Sequence, residues 1–547
     1  MLIIIFRWIF LWATLYIVGR KVVVAQAEAS NQEKLWYFFP SIWAGIGVLT
    51  LFLQFTSLFF PIGEKIVLIT WLLITATIFF KEKHNYQSLL LRKQNLNKFA
   101  VYFLIFSLVV FVGLNFSIGR VNNYDAYLYH FNAVAWNKLY PIVPGLANLH
   151  FRLGFNSGIH LLAAFFEQGL PNGFSVFITN GFLLTTIFMQ IFSLLIDAKT
   201  VVKQKIFFLL LLPFLWISLI SGGAHSLSSD IAMMVMVFSW AITLIKYPNF
   251  RFLATLQATT VVIFKLSGLM ILFSSLWLLF KEKKLNQLLS LRSYLFWLII
   301  FGFLIRNVLL SGYLLFPNTL LKVPVEWLTP ESTTMSFEEE IRGWAISPRE
   351  NYLQVVNQNI FQWFPTWFIR NSEQIELKIL YISLLVLAIL LFTKKDFFLK
   401  DNEKIILFGT VMSIIFWFTK APDFRFGSGF FYLLGSLVIS IVIDSLKLDK
   451  IYKISIAFLI IFLVINLKGE SNTFIIHDWQ DSFLKLDKNI GKKELKNVKN
   501  INGYSFFEPQ FGDQCGNQEL LCAPYIDEIE FIDNTNLRKG FKLKLNE

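Results

Sequence analysis

The sequence predicts an all-α polytopic membrane protein of roughly fourteen transmembrane segments (13–14), with a small extracytoplasmic α+β C-terminal appendage. Three observations carry this. The 547 residues are 56% hydrophobic, include 61 Phe and are only 16% charged, an apolar load that no soluble core needs. Apolar runs recur along almost the whole chain, and in lipid each must close its own backbone hydrogen bonds, which selects helices over open sheets. The Lys and Arg behind the formal charge of +13 stand in short clusters between those runs. That is a topology signal, not a nucleic-acid footprint, and no nucleic-acid partner is expected.

Taken in order, the expected spans are 2–18, 37–60, 66–80, 99–117, 173–196, 206–221, 230–245, 252–264, 269–280, 293–311, 376–392, 405–419, 429–443 and 454–467. The first could be taken for a signal peptide, with Ala25-Gln26-Ala27 as a faint cleavage site. Arg20 and Lys21 follow the apolar stretch instead of preceding it, so an uncleaved span is expected. Segments 252–264 and 269–280 could form one tilted helix. Two halves meeting at Lys265-Leu266-Ser267-Gly268 are favoured, because one helix would invert the charge pattern of every later loop.

Loops 19–36, 81–98, 197–205, 246–251, 281–292, 393–404 and 444–453 hold 24 Lys and Arg, whereas the alternate, longer set holds 11. The first set is therefore assigned to the cytoplasmic side of the membrane. The same alternation puts loops 118–172 and 312–375 and the C-terminal tail outside. Residues 1–467 form the transmembrane domain and 468–547 the appendage, in which Val498–Phe507 and Phe541–Leu545 read as strands and Asp478–Leu486 as a helix. Cys515 and Cys522 are the only cysteines, and outside the cytoplasm a disulfide is their natural state.

The polar block Asn123–Ser157 interrupts this apolar chain. It carries Asp125, His130 and Arg152, and further ionisable groups lie at the same ends of other spans: Asp230, Lys265, Arg306, Lys420 and Arg425. Each is costly beside lipid unless it faces water or a partner. A carboxylate with several cations on one face suits transfer from a phosphate-linked donor: the acid takes a proton and the cations hold the phosphate. Plainer readings stand beside these. Asp125 is as well read as a turn or cap residue, and Asp230 as the cap of the helix that follows it. His130 can bond locally, Lys265 and Arg306 can snorkel, and Lys420-Ala-Pro-Asp-Phe-Arg425 can be a tight connection. No His or Cys pair stands at metal-ligand spacing.

With these residues the chain resembles the GT-C class of membrane glycosyltransferases, such as protein O-mannosyltransferases and the aminoarabinose transferases of lipid A. Tyr124-Asp125-Ala-Tyr127-Leu-Tyr129-His130 is similar to that class's acidic first outer loop. Val262-Ile-Phe-Lys265-Leu-Ser-Gly268 is similar to its segment that approaches a lipid phosphate. The resemblance implies a polyprenyl-phosphate sugar donor, a lipid, glycan or protein acceptor, and Asp125 and Asp230 as catalytic carboxylates. Lys265, Arg306, Lys420 and Arg425 would hold phosphate, with His130 and Arg152 shaping the pocket. No cofactor is implied; a divalent metal is the alternative, although the loop opens with one Asp instead of an acidic pair. The blocks YPIVPGLANLHFRLGFNSG, RNVLLSGYLLFP and APDFRFG, with the paired-Cys tail, also resemble an uncharacterised bacterial multispan family, which implies no activity. Two rival functions are a polysaccharide polymerase or O-antigen ligase acting through Arg342 and Arg349, and a transporter. The latter would need paired broken helices in two halves, and one such pair is visible.

Overall fold

The computed structural model describes residues 1–29, 37–90, 96–282, 294–348, 352–393, 399–446, 490–501, 504–517, 520–524, 526 and 528–544. It is mostly helical. The helices are α1 (Leu2–Ala29), α2 (Phe38–Thr56), α3 (Lys65–Leu90), α4 (Leu96–Ser117), α5 (Phe131–Leu139), α6 (Leu146–Leu149), α7 (Gly158–Phe166), α8 (Thr179–Ile196), α9 (Val202–Ser218) and α10 (Ser229–Lys246). They continue with α11 (Arg251–Phe264), α12 (Leu269–Lys281), α13 (Tyr294–Ser311), α14 (Glu331–Ile346), α15 (Tyr352–Val356), α16 (Ile360–Asn371), α17 (Ile375–Thr393), α18 (Asp401–Lys420) and α19 (Ser428–Ser445).

Every expected span up to residue 443 coincides with a helix. Among the described residues, nine helical stretches are long and apolar enough to cross a membrane: 2–26, 38–56, 99–117, 174–196, 202–223, 229–246, 294–311, 401–420 and 428–445. The helices at 251–264 and 266–281 are apolar but shorter. The expected span 454–467 and the expected helix Asp478–Leu486 lie outside the described residues.

One large core joins the helices, with Trp8, Trp43, Trp71 and Trp240 fully buried in it. The α1–α2 crossing shows why small residues recur where helices meet: a Cβ on Gly19 would collide with the Ser41 carbonyl, and one on Gly45 with that of Leu15. Backbones approach this closely only where no side chain intervenes.

Three antiparallel hairpins complete the fold: β1 (Tyr313–Leu315) with β2 (Asn318–Lys322), β3 (Leu495–Ile501) with β4 (Tyr504–Pro509), and β5 (Ile529–Phe531) with β6 (Phe541–Leu543). The expected single strand Val498–Phe507 is thus corrected to two strands of one hairpin. Asn502-Gly503, the dipeptide that favours tight hairpin turns, sits between them in the sequence. The C-terminal hairpins do not build a core alone. Phe506, Ile529, Phe531 and Phe541 share one with Trp136, Val143, Leu146 and Leu149 of the 118–172 loop. Asn148 Nδ2 donates to the Phe541 carbonyl at 3.0 Å, and Phe541 N donates to that of Pro144 at 3.1 Å.

Candidate functional site

The site begins at a broken helix. α11 ends at Phe264, Lys265 is extended (φ −157°, ψ 129°), and one 3-10 turn, Leu266–Gly268, leads into α12. A break frees backbone groups that must find partners, and Ser157 Oγ donates to the Phe264 carbonyl at 2.7 Å. The break turns Lys265 sideways, so that its ammonium pairs with Asp230 and lies 4.0 Å over the Phe426 ring.

Asp230 is in the first turn of α10, where the helix dipole favours a carboxylate. The cap is Ser228, whose Oγ accepts from Asp230 N at 3.2 Å. Asp125 is likewise relieved of turn duty: Asn123 Oδ1 accepts from Asp125 N at 2.8 Å. The Asp125 carboxylate instead faces Arg425, Oδ2 to Nη1 3.6 Å. Arg425 also donates from Nε to Asp423 Oδ2 at 3.2 Å. Burial would lower the pKa of this guanidinium, but the charges of Asp423, Asp125 and Asp230 outweigh it and raise it above the ordinary value.

Asp125, Asp230, Asp423 and Arg425 line one cavity of ≈ 720 Å³. The C-terminal ends of α9, α14 and α16 and the N-terminal ends of α10, α17 and α19 contribute to its lining. Past the end of α9 a π turn, Leu219–Gly223, widens the space, with Gly222 at φ 91°, a conformation that glycine adopts without strain. His225, Trp344, Arg370, Glu376 and Tyr432 complete the wall. The arrangement alternates carboxylates with cations, so an incoming anion can displace a carboxylate from Arg425 while a neighbouring acid accepts a proton. Among the described residues, no group of three or more His, Cys, Asp or Glu stands arranged to hold a metal ion.

The other expected residues lie elsewhere. Arg306 is 2% exposed and bonds to Asn156 (2.9 Å), Asn137 (3.0 Å) and Ser57. With Arg152 it borders a separate void of ≈ 30 Å³. Arg152 faces Glu340 at 3.8 Å, and Lys420 pairs with Glu338 at 3.0 Å. Arg342 lies within α14 and does not line the large cavity, while Arg349 lies outside the described residues.

His130 is 2% exposed and packs 5.2 Å, ring to ring, from His160, which is 4% exposed. Burial, then the charge of Lys265, lowers the His130 pKa to about 3; burial, then His130, pushes that of His160 well down. Both are neutral when folded, whereas the unfolded chain binds their protons below about pH 6.5. Their contribution to stability is therefore complete above about pH 6.5 and is lost as pH falls below it, for His130 down to about 3, by up to ~1.4 kcal/mol per pH unit for each histidine. The melting temperature of the detergent-purified protein should drop between pH 7.5 and 5.5. His130→Gln should flatten that slope, and an unchanged slope would remove His130 from the account.

The family comparison bears on the whole of this site. A family described as Domain of unknown function (DUF8201) matches residues 1–432. The chain belongs to this family. The match takes in every residue that lines the large cavity, from Asn122 to Tyr432, and leaves the C-terminal hairpins beyond it. No curated protein and no solved structure matches the chain.

Those hairpins nonetheless reach the DUF8201 part of the chain beside Asp125. Cys515 and Cys522 form a disulfide, and residues 513–517 at its first cysteine grip the loop. Tyr124 Oη donates to Asp513, Gln514 Nε2 to the Tyr124 carbonyl at 3.0 Å, and Gly516 N to that of Tyr127 at 2.7 Å. Burial and then the bond to Asp513 push the Tyr124 phenol up to about 12. Asn517 Nδ2 donates to the Asn172 carbonyl at 2.8 Å, tying the far end of the same loop. In a Cys515→Ser/Cys522→Ser variant, amide exchange over residues 124–131 should rise about tenfold while α8 to α11 keep their protection. Equal exchange in both proteins would show that the disulfide does not hold the loop.

Sequence reasoning did not single out Glu376, Arg370, Tyr432 or Trp344. Glu376 had one available signal, a carboxylate at the first position of an expected span.

Proposed function

We propose that this chain is a multi-pass protein of a bacterial cytoplasmic membrane that moves a sugar from a polyprenyl-phosphate donor to a lipid, glycan or protein acceptor on the outer face. The observation that carries this reading is the single cavity in which Asp125, Asp230 and Arg425 stand together, with Lys265 paired to Asp230 behind its wall. The nine apolar helices and the bias of Lys and Arg toward one set of loops support the membrane setting and the outward face of the site.

In the proposed step an acceptor hydroxyl attacks the anomeric carbon of the donor sugar, and the bond from that carbon to the phosphate oxygen breaks. Asp125 takes the hydroxyl proton, and the electron pair leaves with polyprenyl phosphate. Arg425 and Lys265 offset its charge, Arg425 by exchanging Asp423 for phosphate oxygens. Asp230 holds Lys265 in place and can bind sugar hydroxyls.

The test is transfer of radiolabelled sugar from polyprenyl phosphate by the purified protein, with product followed in the lipid, glycan and protein fractions. Labelled product in one fraction is expected. Its absence with a panel of polyprenyl-phosphate hexoses and pentoses would sink the reading.

A further inference from the structure

The cavity has a second wall that the chemistry above does not use. Glu376 lies in the first turn of α17 and is 6% exposed, and its carboxylate forms no ion pair with a Lys or Arg among the described residues. The partner of its carboxylate is Tyr432, whose hydroxyl donates to Oε1 at 2.6 Å. The Tyr432 ring is itself held, stacked on Phe214 with centroids 4.1 Å apart and planes at 6°. One hydroxyl leaves most of the acceptor capacity of a carboxylate unfilled, at a place where an unpaired charge is costly. The lining of the same cavity also carries neutral polar groups, the amides of Asn371 and Gln374 and the hydroxyl of Ser221, with Trp344 as an aromatic face.

We propose that this wall, Glu376 with Tyr432, Asn371, Gln374 and Trp344, is a subsite for a neutral polyhydroxylated group, a sugar ring of the acceptor. Hydroxyl donors fill the free lone pairs of Glu376, the amides pair with further hydroxyls, and the indole covers the C–H face. A phosphate is disfavoured here by the Glu376 charge, and the Arg370 guanidinium on the lining already donates to Ser347 Oγ and the Ile346 carbonyl, which leaves the donor phosphate to Arg425. Arg370, on the same lining, opposes an ammonium ligand. The volume of ≈ 720 Å³ lies in the range of about 300–1,000 Å³ typical of small-molecule sites, so both groups have room. The assignment to the acceptor rests on the transferase reading; the affinity for a sugar does not.

The experiment is saturation-transfer NMR on the full-length protein in detergent, with glucose, galactose, rhamnose, N-acetylglucosamine and cationic glucosamine titrated separately. At least one neutral sugar should bind, and Glu376→Gln, which keeps the side chain's shape, should weaken it about tenfold or more. Tyr432→Phe, which keeps the stacked ring, should weaken it about fivefold. Thermal melts of both variants within a few degrees of the parent exclude misfolding as the cause. No neutral sugar bound, affinity unchanged in both variants, or binding of glucosamine alone would overturn the subsite. Glu376-dependent binding in a protein that transfers from no donor would keep the subsite and discard the transferase.

Discussion

Asp125→Asn is expected to lower sugar transfer by about 10²–10⁴-fold, the usual contribution of a positioned general base. The substitution keeps the side chain's size and leaves the turn intact, because the turn is held by Asn123 and not by Asp125. It removes the proton acceptor and one of the two carboxylates that face Arg425. The loss should fall on kcat with the donor KM little changed, since the reading gives the donor phosphate to the cations. Arg425→Gln should show the reverse emphasis, with the donor KM rising as a bidentate phosphate contact is lost. Initial rates over a donor titration separate the two. Turnover of Asp125→Asn equal to the parent would end the case for Asp125 as the base.

Arg306→Leu should destabilise the fold by about 3–5 kcal/mol, since it removes three hydrogen bonds from a buried charged donor. It would strip the bonds from Asn156 Oδ1, Asn137 Oδ1 and Ser57, all packed where α2, α5 and α13 meet the loop. Arg306→Lys should rescue little, because three partners in three directions fit the planar fork of a guanidinium and not a single ammonium. Thermal and denaturant unfolding in detergent measure the loss. A stable Arg306→Leu protein with a raised donor KM would return Arg306 to the phosphate-binding role the sequence suggested.

The two arginines show how much of the site was legible. Arg306 and Arg425 both stand at the same ends of apolar runs, and in a linear sequence they carry the same signal. Packing separates them: Arg306 turns into the helix junction and spends its donors on Asn and Ser, whereas Arg425 sits on a short turn between α18 and α19 and faces carboxylates in a cavity. The break at Lys265 was legible because loop charges disallowed one continuous helix. Its pairing with Asp230 was not, since 35 residues separate the two and no local pattern encodes the contact. Glu376 and Tyr432 meet across 56 residues and were invisible for the same reason.

Although α14 to α16 inside the 312–375 loop were not expected, the apolar helices up to residue 443 were determined by sequence alone, because apolar runs of this length must close their own backbone hydrogen bonds. So was the exceptional character of the Asn123–Ser157 block, whose polarity has no place among apolar helices unless it faces water or partners. Only the tertiary structure decided which ionisable groups share a cavity, that Asn123 and Ser228 do the capping and free Asp125 and Asp230, and that the C-terminal hairpins complete their core against that block. The capping is a matter of side-chain direction between residues two apart, and the shared cavity and joint core are contacts between segments far apart in sequence. Local propensity does not carry them, because the free energy that selects them arises only when the helices pack.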